Sequence, residues 1–233
     1  MTTQRVESND QELIKLIEHG RDREAADLAS HVVTPALIDP VADPRCQLDE
    51  IVPLLTELIV PLSAAQLGAP TPCARSTVRD VIEHMTAGAA LFSAKFRGRT
   101  PVCVPADTDL VASFAVAMAN LRSAARSSGA MERTIETPQG TIPGDVFARF
   151  VAMDGLVHGW DIATATAQPY EPAPELVDAV DAFARQAITH DMRNGDMYAV
   201  ATDPPHDASP LVRLVAFTGR IIGPSVCVPR PLG

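Results

Sequence analysis

The chain has 233 residues, of which 46% are hydrophobic, enough to bury a sizeable core in one domain with an appendage. Its net charge of −10 and pI of about 5.0 argue against a nucleic-acid backbone or an anionic membrane as partner. The first thirty residues contain many charged side chains, unlike a signal peptide. The most apolar run, residues 51–62, is too short to span a bilayer. We therefore expect a cytoplasmic protein whose four widely spaced cysteines stay reduced.

The N-terminal part of the chain is predicted to form a separate unit. Residues 9–31 predict one amphipathic helix or two, and prolines mark a connector over residues 35–45. We expect residues 1–44 to form a helical appendage, residues 45–222 to form the main domain, and residues 223–233 to be a C-terminal tail.

The main domain is predicted to contain four long helices. Pro61 should kink the first or end it early, Ser76 should cap the second, and Gly98 should close it. The four helices cover, in chain order, about residues 49–66, 77–97, 109–127 and 143–167.

Shorter elements are predicted around the fourth helix. Residues 132–144 alternate and turn at residues 138–140, which predicts an extended segment or hairpin before it. After it we expect a helix over residues 175–187, a strand over residues 197–202 and a helix over residues 209–218. Four long helices with an extended crossover favour an all-α bundle over an α/β sheet.

The fourth helix carries ionisable side chains where a helix normally buries carbon. Asp154, His158 and Asp161 lie on its apolar stripe, at relative positions i, i+4 and i+7. Burying unpaired charge is costly, so such groups are usually paired or bound to a metal. Asp154 and His158 could reach one ion, as the two histidines of H-E-x-x-H proteins do. The ordinary alternative is a hydrogen-bonded or solvated Asp–His pair.

A metal site here needs a third ligand from another helix. His84 is the only histidine within another predicted bundle helix, and it lies on the flank of that helix's apolar stripe. From this position His84 could lie at a contact between two helices, but the position does not require such a contact. His190 and His206 fall in polar, loop-like sequence and should be exposed. Trp160 is expected to pack in the core, or else to wall a pocket.

Three stretches of the chain resemble the DinB-like metal-binding family, in its mycothiol-dependent maleylpyruvate isomerase N-terminal branch. The resemblance covers about residues 46–222. The second-helix motif is TPCARSTVRDVIEHMTAGA (71–89), the fourth-helix motif is VAMDGLVHGWDIATATAQ (151–168), and the closing segment is SPLVRLVAFTGR (209–220).

The resemblance implies a DinB-like four-helix bundle with a long crossover, to which this chain adds a short extended segment and N-terminal helices. It implies a divalent ion held by His84, Asp154 and His158, zinc first and nickel, manganese, cobalt or iron as alternatives. Three protein ligands leave open positions, as in catalytic sites. Asp161 is then the candidate catalytic side chain, orienting a ligand or the thiol. Relatives often carry Glu or His where this chain has the shorter Asp154, and isomerase relatives carry a further C-terminal domain.

The predicted function is a metal-dependent S-transferase or isomerase that uses a mycothiol-type thiol on small electrophiles. Coordination to a metal would deprotonate the thiol and make it a nucleophile. Two histidines and a carboxylate also describe non-haem Fe(II) oxygenases. A third interpretation is a non-catalytic protein that binds or sequesters a metal or small ligand, with residues 1–44 as a partner contact. The oligomeric state stays open.

Overall fold

In its described residues the chain folds as helices with a single short hairpin. The computed structural model describes residues 43–100, 109–138, 140–193 and 198–222, so the predicted tail and nearly all of the appendage lie outside it. None of the helices in these ranges is both long and apolar enough to cross a lipid bilayer. The helices are α1 (Pro44–Ile59), α2 (Ala64–Leu67), α3 (Val78–Phe96), α4 (Leu110–Ala125), α5 (Gly144–Thr166), α6 (Pro174–Ala187) and α7 (Pro210–Phe217), and the strands are β1 (Thr134–Thr137) and β2 (Gly140–Pro143).

The four long helices α1, α3, α4 and α5 close a ring. Helix α1 packs against α4 and α5, and α3 packs against the same two helices from the other side. Buried apolar side chains from all four fill the interior. The antiparallel hairpin β1–β2 lies on the crossover from α4 to α5. The predicted all-α four-helix bundle is therefore confirmed.

Helix α5 is enclosed more completely than an ordinary bundle helix. It contacts α1 and α3 within the ring, and α6, α7 and both strands also pack against it. Most of its residues are buried, on every face of the helix. Gly155 lets α1 approach closely, since a Cβ there would lie 3.1 Å from Ile51 Cγ2. A polar side chain on a buried face of α5, such as that of Asp161, therefore meets protein rather than water.

Helix α1 begins at Pro44, earlier than the predicted Asp49. The Asp43 carboxylate caps it by accepting a hydrogen bond from the backbone N–H two residues on, at 2.9 Å. Proline suits the first helical position because its φ is already helical. The helix ends at Ile59, before Pro61, as predicted, and the separate turn α2 follows.

The start of α3 differs by one residue from the prediction. Thr77, not Ser76, is the N-cap: its hydroxyl accepts from Asp80 N at 3.3 Å, and the Asp80 carboxylate accepts from Thr77 N at 2.8 Å. The Ser76 N–H instead donates to the Cys73 carbonyl at 3.1 Å, which closes the preceding loop. Gly98 follows the helix with φ +62°, in agreement with the predicted stop.

The C-terminal part of the chain contains the one wrong element. The predicted strand over residues 197–202 is absent from its described part, residues 198–202. Thr202 N–H donates to the Ala216 carbonyl at 3.0 Å and the Thr202 hydroxyl donates to the Arg220 carbonyl at 2.6 Å. Thr202 is thus tied to α7 and the residues after it, and it has no strand partner among the described residues.

Candidate functional site

Three predicted site residues meet at the seam between α3 and α5. Nε2 of His84 lies 3.7 Å from Oδ1 of Asp154, and Nε2 of His158 lies 3.4 Å from the same oxygen. The two imidazole rings meet edge to face, with centroids 5.1 Å apart. All three donor atoms lie within 4.8 Å of one another. The helices thus bring together the residues that the sequence singled out, and their role as metal ligands stays a prediction.

This donor cluster opens to solvent on one side. The side chain of His84 is 60% exposed, that of Asp154 is 39% exposed, and that of His158 is only 9% exposed. Solvent therefore reaches the donor cluster from the α3 side, and His158 is its most buried member. His190 and His206 are exposed elsewhere on the surface, as predicted.

A small apolar cavity of about 20 Å³ lies in the bundle beside Asp154. It is large enough for about one water, but Asp154 is its only charged lining residue, and an ordered water needs two to four polar partners. Apart from the Asp154 carboxylate, the described lining of this cavity is therefore apolar.

The electrostatics around His158 favour a positive charge between Asp154 and Asp161. Burial would lower the pKa of His158, but Asp154 and Asp161 outweigh it and raise this pKa to about 10. Desolvation would raise the pKa of Asp154, but His158 and His84 hold it well below its usual range. In the ion-free protein, a proton on His158 supplies the positive charge that the two carboxylates require.

Asp161 lies on the opposite edge of the His158 ring, fully buried. Its Oδ2 accepts a hydrogen bond from Nδ1 of His158 at 3.0 Å. Because Nδ1 is engaged in this way, Nε2 is the nitrogen that faces Asp154 and His84. Asp161 therefore contacts His158, and its role in orienting a ligand or the thiol stays a prediction.

Arg220 is the partner of Asp161 that the sequence analysis missed. Its Nη2 donates to Oδ2 of Asp161 at 2.8 Å and its Nε donates to Oδ1 at 3.2 Å, the two-pronged geometry that suits a guanidinium and a carboxylate. Burial would raise the pKa of Asp161, but His158 and Arg220 hold it below its usual range. The part of the sequence that could have indicated this partner is the closing segment SPLVRLVAFTGR, which ends in Arg220.

Cys73 also lies at the site, on the loop between α2 and α3. Its sulfur, a ring nitrogen of His158 and a carboxylate oxygen of Asp161 lie within 4.8 Å of one another. The sequence analysis treated all four cysteines as ordinary reduced thiols, and both described ones, Cys46 and Cys73, are unpaired. Nothing in the spacing of the cysteines indicated that one of them reaches His158.

Comparison with known proteins gives the family. The model of the mycothiol maleylpyruvate isomerase N-terminal domain matches residues 48–163. Two curated Mycobacterium tuberculosis proteins, the uncharacterized proteins MT0763 (strain CDC 1551 / Oshkosh) and Rv0738 (strain H37Rv), are each 35% identical to this chain over 170 residues, which cover 71% of this chain and 91% of the relative. The chain belongs to the mycothiol maleylpyruvate isomerase N-terminal domain family.

A solved structure supports the same fold. It is that of a histidine-to-alanine mutant of the mycothiol-dependent maleylpyruvate isomerase, with a TM-score of 0.50 and 15% sequence identity. The match covers 60% of this chain and 68% of that chain. At this identity the likeness concerns the fold alone, and the bundle described here is the DinB-like helical fold of this family.

Proposed function

We propose that this protein is a divalent-metal-dependent S-transferase or isomerase that uses a low-molecular-weight thiol of the mycothiol type to act on small electrophiles. Its membership of a mycothiol-related, isomerase-like family supports the thiol and the reaction class. The observation that carries the proposal is the convergence of His84, Asp154 and His158 at an open edge of the bundle.

The donor types and distances suit a divalent ion. Zinc takes histidine nitrogens and carboxylate oxygens at about 2.0–2.2 Å, so tetrahedral neighbours lie about 3.4 Å apart. The observed separations of 3.4 and 3.7 Å from Asp154 Oδ1 are close to this value. Nickel, manganese, cobalt and iron accept the same donor types. When bound, the ion supplies positive charge that favours the thiolate form of a thiol.

Asp161 and Arg220 act through His158. The Asp161 carboxylate accepts from Nδ1, which fixes the ring and presents Nε2 to the donor cluster. Arg220 holds that carboxylate in its ionised form. Since Asp161 is fully buried, we assign it a positioning role rather than contact with the substrate.

Replacement of His158 tests the proposal most directly. In His158→Ala we expect metal content, measured by elemental analysis, to fall to the background level, together with loss of thiol-conjugate formation over a panel of electrophiles. His190→Ala is the matched control, because His190 is an exposed histidine away from the site. Unchanged metal stoichiometry in His158→Ala would exclude His158 as a ligand.

A second candidate function is that of a non-catalytic protein that binds or sequesters a metal or small ligand. The same convergence of His84, Asp154 and His158 supports it, because these residues could hold an ion without any turnover. Turnover separates the two. Tight metal or thiol binding without any thiol conjugate, across the same electrophiles, would favour the binding protein.

We also propose a cytoplasmic location. The two described cysteines are unpaired, which is typical of a compartment that keeps thiols reduced. Fractionation of cells that produce the protein, followed by immunodetection, would test this.

A further inference from the structure

A second cavity, here called the end cavity, lies at the C-terminal ends of α1 and α5. Its volume is about 310 Å³, at the lower end of the size of ligand pockets, roughly 300–1,000 Å³. Leu54, Glu57 and Leu58 of α1 line one side, and residues 168–171, which follow α5, line the other. The end cavity shares no lining residue with the donor cluster.

The hydroxyl of Tyr170 is a buried polar group without a partner. Tyr170 lines the end cavity, but its hydroxyl oxygen is shut off from solvent and forms no hydrogen bond among the described residues. This oxygen lies against Gly159 of α5, where a Cβ would collide with it. Burial raises the pKa of Tyr170, so the hydroxyl keeps its proton and can donate. Because an unpaired buried hydroxyl is costly, it points to a missing hydrogen-bond partner.

The position of Gly159 places that hydroxyl between α5 and α1. Gly155 lies one turn earlier on the same face of α5, and a Cβ there would contact Ile51 and Leu55 of α1. The α1-facing side of α5 thus holds the hydroxyl, and α1 also supplies part of the lining of the end cavity. The unpaired group therefore lies at the inner side of the cavity rather than at its mouth.

The end cavity is electrostatically negative. Glu57 and Glu171 line it, both are exposed, and its described lining contains no arginine, lysine or histidine. The C-terminal ends of α1 and α5 meet here, since Nε2 of Gln168 donates to the Leu58 carbonyl at 3.1 Å. Neither helix has a basic side chain in its last turn. Because a helix C-terminus carries partial negative charge, these features favour a cation as the occupant.

The lining favours an organic cation over a bare metal ion. Glu57 and Glu171 belong to no group of three closely spaced metal donors among the described residues. Leu54, Leu58 and Pro169 add apolar surface, which stabilises a hydrocarbon chain but not an ion. The carboxylates are exposed whereas the hydroxyl is buried, so a matching ligand carries its charge at one end and another polar group at the other.

We propose that the end cavity binds a small organic ammonium ion that carries a second hydrogen-bonding group. The ammonium group lies beside Glu57 and Glu171, and the second group bonds to the Tyr170 hydroxyl. A short hydrocarbon chain between the two groups packs against Leu54 and Leu58. This site is separate from the donor cluster, so it does not depend on the proposed function.

The test uses the full chain and three probes of matched size, added in NMR chemical-shift titrations at low ionic strength. 4-Aminobutan-1-ol carries both polar groups, pentylamine lacks the hydroxyl, and pentan-1-ol lacks the charge. We expect 4-aminobutan-1-ol to bind at least about threefold more tightly than pentylamine, because it supplies one more hydrogen bond. It should also bind at least about threefold more tightly than pentan-1-ol, and salt should reduce this second difference.

Two conservative variants assign the two ends of the ligand. Tyr170→Phe should abolish the preference for 4-aminobutan-1-ol over pentylamine, whereas Glu57→Gln should weaken both amines alike. Glu50→Gln is the control and should change neither, because Glu50 is an exposed carboxylate of α1 that does not line the end cavity. Without ligand, Tyr170→Phe should unfold at the same urea concentration as the wild type, since the hydroxyl that it removes has no partner.

Four results would overturn the inference. They are the absence of saturable binding by 4-aminobutan-1-ol, equal affinity for pentan-1-ol, an unchanged preference in Tyr170→Phe, and unfolding of ligand-free Tyr170→Phe at a lower urea concentration. The last result would mean that the hydroxyl already has a partner within the folded protein. Because none of these assays involves metal or thiol, their failure would leave the proposed function untouched.

Discussion

The two edges of the His158 ring differ in one decisive respect. At Nδ1, Asp161 is fully buried and paired with Arg220, a permanent cation supplied by the chain. At Nε2, Asp154 is partly exposed, and its ion pairs among the described residues are with His84 and His158, whose charge depends on protonation. At the closed edge a permanent cation contacts the carboxylate directly, whereas no described arginine or lysine forms an ion pair with Asp154. From this difference we predict that the first edge contributes mainly to stability and that the second is the place where a cation would bind.

The largest expected effect is on stability, at the closed edge. Arg220→Ala leaves Asp161 as a buried carboxylate without its guanidinium, so we expect a loss of about 3–5 kcal/mol in the free energy of unfolding, measured with urea. Arg79→Ala is the control, because Arg79 and Glu83 form an exposed pair at 3.6 Å and should cost no more than about 0.5 kcal/mol. Similar losses in both variants would contradict the contrast between the two edges.

The next effect is on metal affinity, at the open edge. Asp154→Asn removes the negative charge of the carboxylate that lies between His84 and His158. We therefore expect zinc affinity to fall by about 100-fold or more, measured by competition with a chelator. The metal-free fold should lose no more than about 1 kcal/mol, because this side chain is 39% exposed. A variant that keeps its affinity but unfolds readily would reverse the assigned roles of the edges.

The third effect concerns protons. The pKa of His158 is raised to about 10 in the ion-free protein, above its unfolded value of about 6.5. Protonation of His158 therefore stabilises the ion-free fold fully below about pH 6.5, and this contribution is lost as pH rises through about 10.

A metal ion that binds Nε2 of His158 would displace that proton. Calorimetric titrations of zinc at pH 7.5, in two buffers of different ionisation enthalpy, should show release of about one proton per ion. The affinity should keep rising with pH above 7.5. Binding without proton release would mean that Nε2 of His158 is not the donor.

The smallest effect is the stability change in His84→Gln. The His84 side chain is 60% exposed, so the metal-free protein should lose no more than about 0.5 kcal/mol by urea unfolding. The same variant should bind zinc more weakly than the wild type, since it lacks one imidazole donor. Wild-type zinc affinity in His84→Gln would remove His84 from the open edge.

Some of these features could be predicted from local spacing. Apolar periodicity predicts the four bundle helices. Two of them begin at residues other than those predicted, because Asp43 and Thr77 are the residues that cap them. The relative positions of Asp154, His158 and Asp161 follow from helical geometry, because positions four and seven apart share a face whatever the helix packs against. The failed strand over residues 197–202 shows the limit, because the Thr202 N–H donates to the Ala216 carbonyl in α7, a partner that no local pattern predicts.

The sequence alone therefore determined a helix bundle whose fourth helix carries Asp154, His158 and Asp161 on its apolar stripe. The tertiary structure decided which distant residues complete that set: His84 across the seam, Arg220 59 residues beyond Asp161, and Cys73 from a loop. It also decided that one carboxylate is closed off and the other open. The reason is physical: a helix fixes the spacing of its own side chains, but its neighbours depend on how whole faces pack, which no short stretch of sequence encodes.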